Sequence, residues 1–482
     1  MKASASLVRA WPAALSALLI SLSFWPANLP LLVFVGLGPW FWSLRQPDVN
    51  WKRSGAIFGL LYFGYQMAWL LPFASKWTGS PGLAFIPYAL ASVAHLPFTI
   101  LLAFLVKKSY ERGWLWAIPF AWACIEFVRA TLPFLAFPHA LLATPLAVAP
   151  DLIQSAAVGT VFMVSAWVAL INVALVELFE RANARQTLAL AGVAVGLGLF
   201  STVRHSQMPP GDKKVVTIGQ LGIDMAFGDR ASEAGKVSRA VQEIGLEAAI
   251  QGADLLVMPE GLGSAGPDPA HPQIPFALPS TPAVFGLQRQ EDGTIYQSAF
   301  SFNGKWQHTD KTKLVIFGEY VPFRGALRAF DLPEMDMQPG KGVGTMTLAG
   351  IKIAPLLCFE GMFYEVAQAQ AQDGARLITL MSIDDWYMDT GMPQQLWDSA
   401  VFRAVENGLP LVRAASLGYS GWIDARGNVR GMLPLRERRT LRAEVTVPPG
   451  SDAFPYRGFF PYLCVVVSVA IALLPSRQKK DG

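Results

Sequence analysis

Charge is what this chain has least of. Of 482 residues only 15% are Asp, Glu, Lys or Arg, while 52% are apolar, and mean hydropathy is +0.35. A soluble enzyme carries about a quarter charged residues, so an ordinary soluble chain is excluded. Cysteine is nearly absent too: of Cys124, Cys358 and Cys464, the first and last lie in apolar runs, which leaves no disulfide framework. The five histidines are scattered and no Cys/His spacing suggests zinc, so no metal site is expected. Neither GxxxxGK[ST] nor a GxGxxG at a strand–helix turn is present, which argues against nucleotide use. The net charge of +4 has no basic cluster behind it in the polar part of the chain, so nucleic acid is not an expected partner.

What is abundant is long apolar runs. Stretches long enough to cross a bilayer fall at roughly 11–27, 29–44, 55–74, 83–106, 113–130, 156–179, 187–203 and 457–475. The first two are separated only by Pro26-Ala27-Asn28 and read as a tight hairpin. The run 132–150 is broken by Pro133, Pro138, Pro145 and Pro150, and reads as re-entrant or interfacial. With the N-terminus inside, the inner loops collect Lys2, Arg9, Arg45, Lys52, Arg53, Lys107, Lys108, Arg112, Arg181, Arg185, Arg477, Lys479 and Lys480. The outer loops hold Lys76 and Arg129, with Arg204 just past the seventh span. This asymmetry places the polar block 205–455 outside the cytoplasmic membrane. The first run lacks a small-residue cleavage site and reads as a retained span. The expected domains are thus 1–204 with seven spans, 205–455 outside the membrane, and 456–482 with an eighth span and an inner tail.

The polar block is long enough for one packed domain. It alternates strands (214–219, 254–258, 294–303, 345–349, 351–358, 376–382, 411–414) with helices (232–251, 363–372, 394–407), then a hairpin through Asp424–Asn428. Continuous apolar strands alternating with helices predict a sheet covered by helices. The Gly/Pro-rich run 261–286 reads as a gate or a connector.

Three polar residues stand at strand ends or in the loops that follow: Glu260 after Leu255–Pro259, Lys311 after His308-Thr309-Asp310, and Cys358 closing Pro355-Leu356-Leu357. A thiol needs a base, and a carboxylate of raised pKa can serve. Acyl transfer also needs a cation or amide donors for the oxyanion. Glu as base, Lys as electrostatic stabiliser and Cys as nucleophile would form such a set. Each residue also has a plainer reading: Cys358 as a small core residue, Glu260 as a solvated loop acid, and Lys313 rather than Lys311 as the working lysine.

Met258-Pro259-Glu260, the stretch from Lys311 to Phe317-Gly318-Glu319, and Leu357-Cys358-Phe359-Glu360 resemble the three signature motifs of the nitrilase superfamily. Such a domain between the seventh and eighth of eight spans resembles the apolipoprotein N-acyltransferase family over nearly the whole chain. The resemblance implies a membrane helical bundle carrying an extramembrane α/β domain, a nitrilase-like αββα sandwich. It also implies a ping-pong reaction without a cofactor, in which a thioester forms on Cys358 from a membrane phospholipid. The acceptor would be the N-terminal α-amine of a diacylglyceryl-cysteine lipoprotein. The family's catalytic positions match Glu260, Lys311 and Cys358, with Glu319 and Glu360 as supporting acids. The resemblance further implies a monomer in the bacterial inner membrane, with its catalytic domain on the periplasmic face.

Departures fall where substrate should bind. Phe359 replaces a Tyr after the cysteine and loses its hydroxyl, and Ile316 stands where a Pro precedes Phe-Gly-Glu. Gln297 replaces an Asn, and Ile383–Tyr387 replaces Asn-Asp-Ala-Trp-Phe. Substrate contacts are expected from Phe359, Trp386 and Tyr387, and from Phe323 in an apolar flap over 321–342. Two other functions fit the same residues: a membrane-anchored amidase acting on a carbon–nitrogen bond, and a lipid- or lipoprotein-binding relative with a relict site.

Overall fold

The computed structural model describes residues 11–475 apart from 134–135, 228–229, 322–323 and 325–335. Contacts divide the chain into two units: one drawn from the chain before residue 207 and after residue 455, the other from Gln207–Pro455.

Among the described residues of the first unit, three helices are long and apolar enough to cross a membrane: Pro81–Arg112, Ala156–Phe179 and Ala184–Ser206. A fourth is reached if Trp51–Gln66 and Leu70–Thr78, bent by 57°, count as one span; Trp11–Ser21 and Phe459–Leu473 are shorter apolar helices. Eight uninterrupted spans are therefore not what is seen. The expected span 29–44 breaks at Pro30 and Gly38 into a 3-10 turn (Pro30–Leu32) and two short helices, Val33–Gly36 and Gly38–Arg45.

Breaks in an apolar environment leave peptide groups without partners, and the polar residues of this unit supply them. Asn172 accepts from Leu37 N at 2.9 Å and donates to Val33 O at 2.8 Å, spanning the break at Gly36 and Leu37. Around 137–142 the same task falls to a cluster. Arg129 donates to the carbonyls of Phe137, His139 and Ala140, and Tyr62 also donates to Ala140 O (3.0 Å). Glu126 accepts from Leu142 N at 2.7 Å, and His139 Nε2 meets Gln66 O at 2.9 Å. Glu126 and His139, to which the sequence assigns no role, are thus ties that hold irregular backbone among helices.

Among the described residues the second unit contains two six-stranded sheets. The strands are β1 (Asp212–Gln220), β2 (Leu255–Val257), β3 (Ala283–Glu291), β4 (Thr294–Phe302), β5 (Trp306–Asp310), β6 (Met346–Leu348), β7 (Ile351–Leu357), β8 (Leu377–Ser382), β9 (Leu411–Ala415), β10 (Gly421–Ile423), β11 (Val429–Met432) and β12 (Arg439–Val447). The sheet orders are β12-β1-β2-β3-β4-β5 and β11-β10-β9-β8-β7-β6, and the central pairs β1–β2, β2–β3, β7–β8 and β8–β9 are parallel.

Alternation along each strand explains the layers. Val216, Ile218, Leu255, Val257 and Val284 pack with Ile353, Leu357, Leu377, Met381 and Val412 in one core between the sheets. The opposite face of the first sheet (Leu256, Met258, Phe285, Phe300) packs with Val237, Val241 and Ile244 of the helix Arg230–Ile250. The helices Tyr364–Gln372 and Met392–Asn407 contact the second sheet. Both faces of the central strands are covered, so they are mostly apolar, and the polar exceptions such as Arg413 are buried with partners. Each fully buried Val or Ile contributes about 1.5–3 kcal/mol. The result is the helix–sheet–sheet–helix sandwich of a nitrilase-like domain.

Three strands escape a reading of the sequence: β3, the short and polar β5, and β12. β3 lies largely beyond the run 261–286 and ends in the turn Asp292-Gly293, where both residues have positive φ (48° and 77°), as a two-residue hairpin demands. β12 pairs with the whole of β1, from Asp212↔Val447 to Gln220↔Arg439.

Candidate active site

β2 ends at Val257, and the chain runs on beside β3 so that Glu260 lies against Gly286. Gly286 N donates to Pro259 O, and Leu262 N donates to Gly286 O. A Cβ at position 286 would sit 2.7 Å from Glu260 Cα, so only glycine allows this approach. Glu260 is 3% exposed, which removes its reading as a solvated acid.

Lys311 follows β5 and is 1% exposed. Its Nζ donates to Glu319 Oε1 at 2.6 Å and to Glu260 Oε1 at 3.4 Å. Glu319 is held by Val315 N, which donates to its Oε2 at 2.8 Å. Lys313 instead pairs with Glu365 near the surface, so the structure separates the two lysines. After them the turn 315–320 presents Phe317 outward, half-exposed and with φ of 62°.

Cys358 closes β7 at the head of a 3-10 turn, Cys358–Met362, with φ of 46°, a left-handed conformation costly for a side chain with a Cβ. Three ties hold it there. Glu360 accepts from Leu357 N on one side, and from Thr312 N (2.6 Å), Thr312 Oγ1 (2.8 Å) and Lys313 N on the other. It thus binds the turn after Cys358 to the loop after Lys311, and the two come from different sheets. Arg403, from the helix Met392–Asn407, donates to Met362 O (2.7 Å) and Gly361 O and pairs with Glu406. Finally, Cys358 Sγ donates weakly to Ile383 O at 3.9 Å.

The segment after β8 is anchored by two buried acids. Asp384 takes both terminal nitrogens of Arg413 (2.8 and 3.0 Å) and Ser382 Oγ at 2.7 Å. Asp385 accepts from Ser416 Oγ, Leu417 N and Met225 N. Tyr387 is buried and Trp386 half-buried, with Phe227 edge-on to Trp386 at 5.3 Å. Phe359 is buried with its ring edge-on to Phe363 at 5.1 Å. Phe323 and most of the flap around it lie outside the described residues.

Electrostatics follow from this burial. Burial pushes Glu260 up to about 7, with Glu319 and Glu360 adding to the shift and Lys311 opposing it. Burial, then the charge of Glu260, pushes the Cys358 thiol up to about 12, against Lys311 and a hydrogen bond with Ser382. Burial works against the Lys311 cation, but Glu260 and Glu319 outweigh it and hold Lys311 protonated. Burial places Tyr387 well above the phenol range, and the charges of Cys358 and Glu319 add to this, which sets its hydroxyl in the same electrostatic environment. The arrangement offers a neutral thiol, an acid near neutrality that can accept a proton, and a permanent cation.

Sequence reasoning misses Arg403, Arg413, Asp310 and Arg289. These act through contacts between residues far apart in the chain, so no local spacing marks them. The acids Asp384-Asp385 directly after an apolar strand are the one local signal of the anchor there.

Known proteins resemble this chain along most of its length. The family descriptions "Apolipoprotein N-acyltransferase N-terminal domain" and "Carbon-nitrogen hydrolase" match residues 16–174 and 280–448. The apolipoprotein N-acyltransferase of Geobacter metallireducens is 28% identical, over 97% of this chain and 95% of its own. That of Allorhizobium ampelinum is 30% identical over 83% of this chain and 82% of its own. Among solved structures, Saccharomyces cerevisiae Nit3, a member of branch 10 of the nitrilase superfamily, superposes with a TM-score of 0.39 at 17% identity over 56% of this chain and 98% of its own. With a relative 30% identical along four-fifths of its length, the chain belongs to the apolipoprotein N-acyltransferase family.

Proposed function

We propose that Glu260, Lys311 and Cys358 carry the acyl transfer of this enzyme, with a membrane phospholipid as donor and the α-amine of a diacylglyceryl-cysteine lipoprotein as acceptor. The observation that carries the assignment is the buried Glu260–Lys311–Glu319 cluster, tied through Glu360 to the turn of Cys358.

At rest the gap between a thiol near 12 and an acid near 7 leaves little thiolate, so proton transfer accompanies attack. Glu260 takes the thiol proton as Sγ adds to the ester carbonyl. Lys311 Nζ faces the oxyanion. The tetrahedral intermediate collapses, the C–O bond breaks, and Glu260 returns the proton to the departing lysophospholipid. The acceptor amine then adds to the thioester carbonyl and gives a proton to Glu260. The C–S bond breaks and the thiol is restored. Mass and charge balance without a cofactor.

We further infer eight crossings, with 205–455 on the periplasmic face of the inner membrane between the seventh and eighth. The support is the loop charge, thirteen inner cations against Lys76, Arg129 and Arg204 outside. The test of the chemistry is intact mass after incubation with phosphatidylethanolamine vesicles. Wild type should gain one acyl chain that hydroxylamine removes, and Cys358→Ala should gain none. A Cys358→Ala protein acylated to the wild-type level would overturn the assignment.

A further inference from the structure

Lys311 is gripped from its downstream side by Glu360, through Thr312. Its upstream neighbour is gripped as well, by residues that the reaction does not otherwise use. Asp310, the last residue of β5, receives a two-pronged contact from Arg289 of β3: Nε to Oδ1 at 2.8 Å and Nη2 to Oδ2 at 2.6 Å. Ser298 Oγ donates to the same Oδ1 at 2.7 Å. The remaining edge of the guanidinium meets Glu291 at 2.7 Å, and its plane lies 4.2 Å from the ring centre of Tyr296. Arg289 is 5% exposed, so its orientation is fixed on every side.

The backbone at this point is equally constrained. Lys311 N donates to Gln297 O and Gly340 N donates to Lys311 O, both at 2.8 Å. A Cβ on Gly340 would come 2.8 Å from Asp310. One peptide unit separates this clamp from a lysine whose Nζ must lie between two carboxylates.

We propose that Arg289 is a positioning residue of the acyl transfer, acting through Asp310 to hold Lys311 between Glu260 and Glu319. A planar, two-pronged donor suits the task because it fixes both the place and the rotation of the carboxylate. Arg289 touches no reacting atom; its effect reaches the chemistry only through the position of a charge. This inference rests on the assignment of Glu260, Lys311 and Cys358 given above.

The consequence is a displaced pH profile. The charged groups that act on Glu260 are Lys311, Glu319 and Glu360, with the neutral thiol of Cys358 beside them, and of the charges only Lys311 favours the carboxylate. If Lys311 moves away, Glu260 holds its proton to higher pH, and thioester formation then needs a more alkaline medium.

The experiment uses the full-length protein in detergent with phosphatidylethanolamine, following thioester mass against time from pH 5 to 9. Arg289→Met and Asp310→Asn should each slow thioester formation roughly ten- to a hundredfold at pH 7. The rising limb should move to higher pH, with the donor concentration for half-maximal rate unchanged. Arg289→Lys, which keeps the charge but not the fork, should fall between. The double variant should be no slower than the worse single one. A lowered rate at every pH with an unmoved midpoint would overturn the proposal, since a merely structural role lowers only the active fraction. So would single effects that multiply in the double variant. If Arg289→Met does not fold, the near-isosteric Asp310→Asn decides alone. A wild type that forms no thioester, or a Cys358→Ala protein that does, strikes instead at the assignment on which the inference rests.

Discussion

At the scale of single residues, the site is a set of charges whose behaviour is set by removal from water. Glu260 near 7 gives a signed expectation. Below that value the residue carries its own proton and cannot accept one from Cys358; above it, the carboxylate is free to do so. The rate of thioester formation should therefore climb as pH rises through about 7 and then level. A rate that falls over the same range would assign Glu260 the role of acid in the limiting step. Glu260→Gln, which cannot take the proton, should lose roughly a hundredfold or more, in keeping with general-base catalysis. Glu260 and Cys358 stood out in the sequence because each follows an apolar strand and lies in a family motif, whereas Lys311 had the motif alone, since β5 before it is polar. Their partners did not stand out. Arg289 and Asp310 are distant in sequence and adjacent in space, as are Arg413 and Asp384, and no pattern in a single chain links them.

At the scale of elements, position depends on where a strand can bring its backbone. Gly286, in the middle of β3, is the residue that lets the Glu260 loop lie flat against the sheet. Gly286→Ala should cost about 1–3 kcal/mol by overpacking. Activity should fall further than that stability loss suggests, because an ångström of displacement costs about a hundredfold. Thermal unfolding and thioester formation measured on the same sample separate the two. Equal activity per folded molecule would show that the loop absorbs the methyl without moving Glu260. Elements also show where sequence reading stops. β12 alternates buried Ala443, Val445 and Val447 with exposed Arg442 and Glu444, a readable period of two. Its charges give it the look of a connector, and only pairing with β1 makes it a strand. β3 was obscured by the Gly- and Pro-rich chain before it, although Asp292-Gly293 marks its far end.

At the scale of the whole molecule, composition announced a membrane protein and the family to which it belongs agrees. The number of crossings is where apolar length misleads. Runs broken by Pro30 or bent near Met67 are as apolar as straight ones, and the polar groups that tie irregular backbone, Asn172 at the first break, His139 at Gln66 O, and Arg129 and Glu126 along 137–142, resemble functional residues in a sequence. Orientation is directly testable. Val429 is 45% exposed on the edge strand β11, and all three native cysteines are buried. Val429→Cys should react with a membrane-impermeant maleimide once the outer membrane is opened. Labelling only after the inner membrane is lysed would reverse the assigned topology.

The tie made by Glu360 has one more consequence, which concerns the order of assembly. Lys311 follows a strand of one sheet and Cys358 ends a strand of the other. On the assignment proposed above, a chain with only one sheet formed would have either the base and the cation or the thiol, and so no working nucleophile. Closure of the sandwich buries Cys358 and brings its partners into range in the same event. On that assignment reactivity would come only with the docking of one sheet on the other, and a half-made molecule would be chemically silent toward lipid.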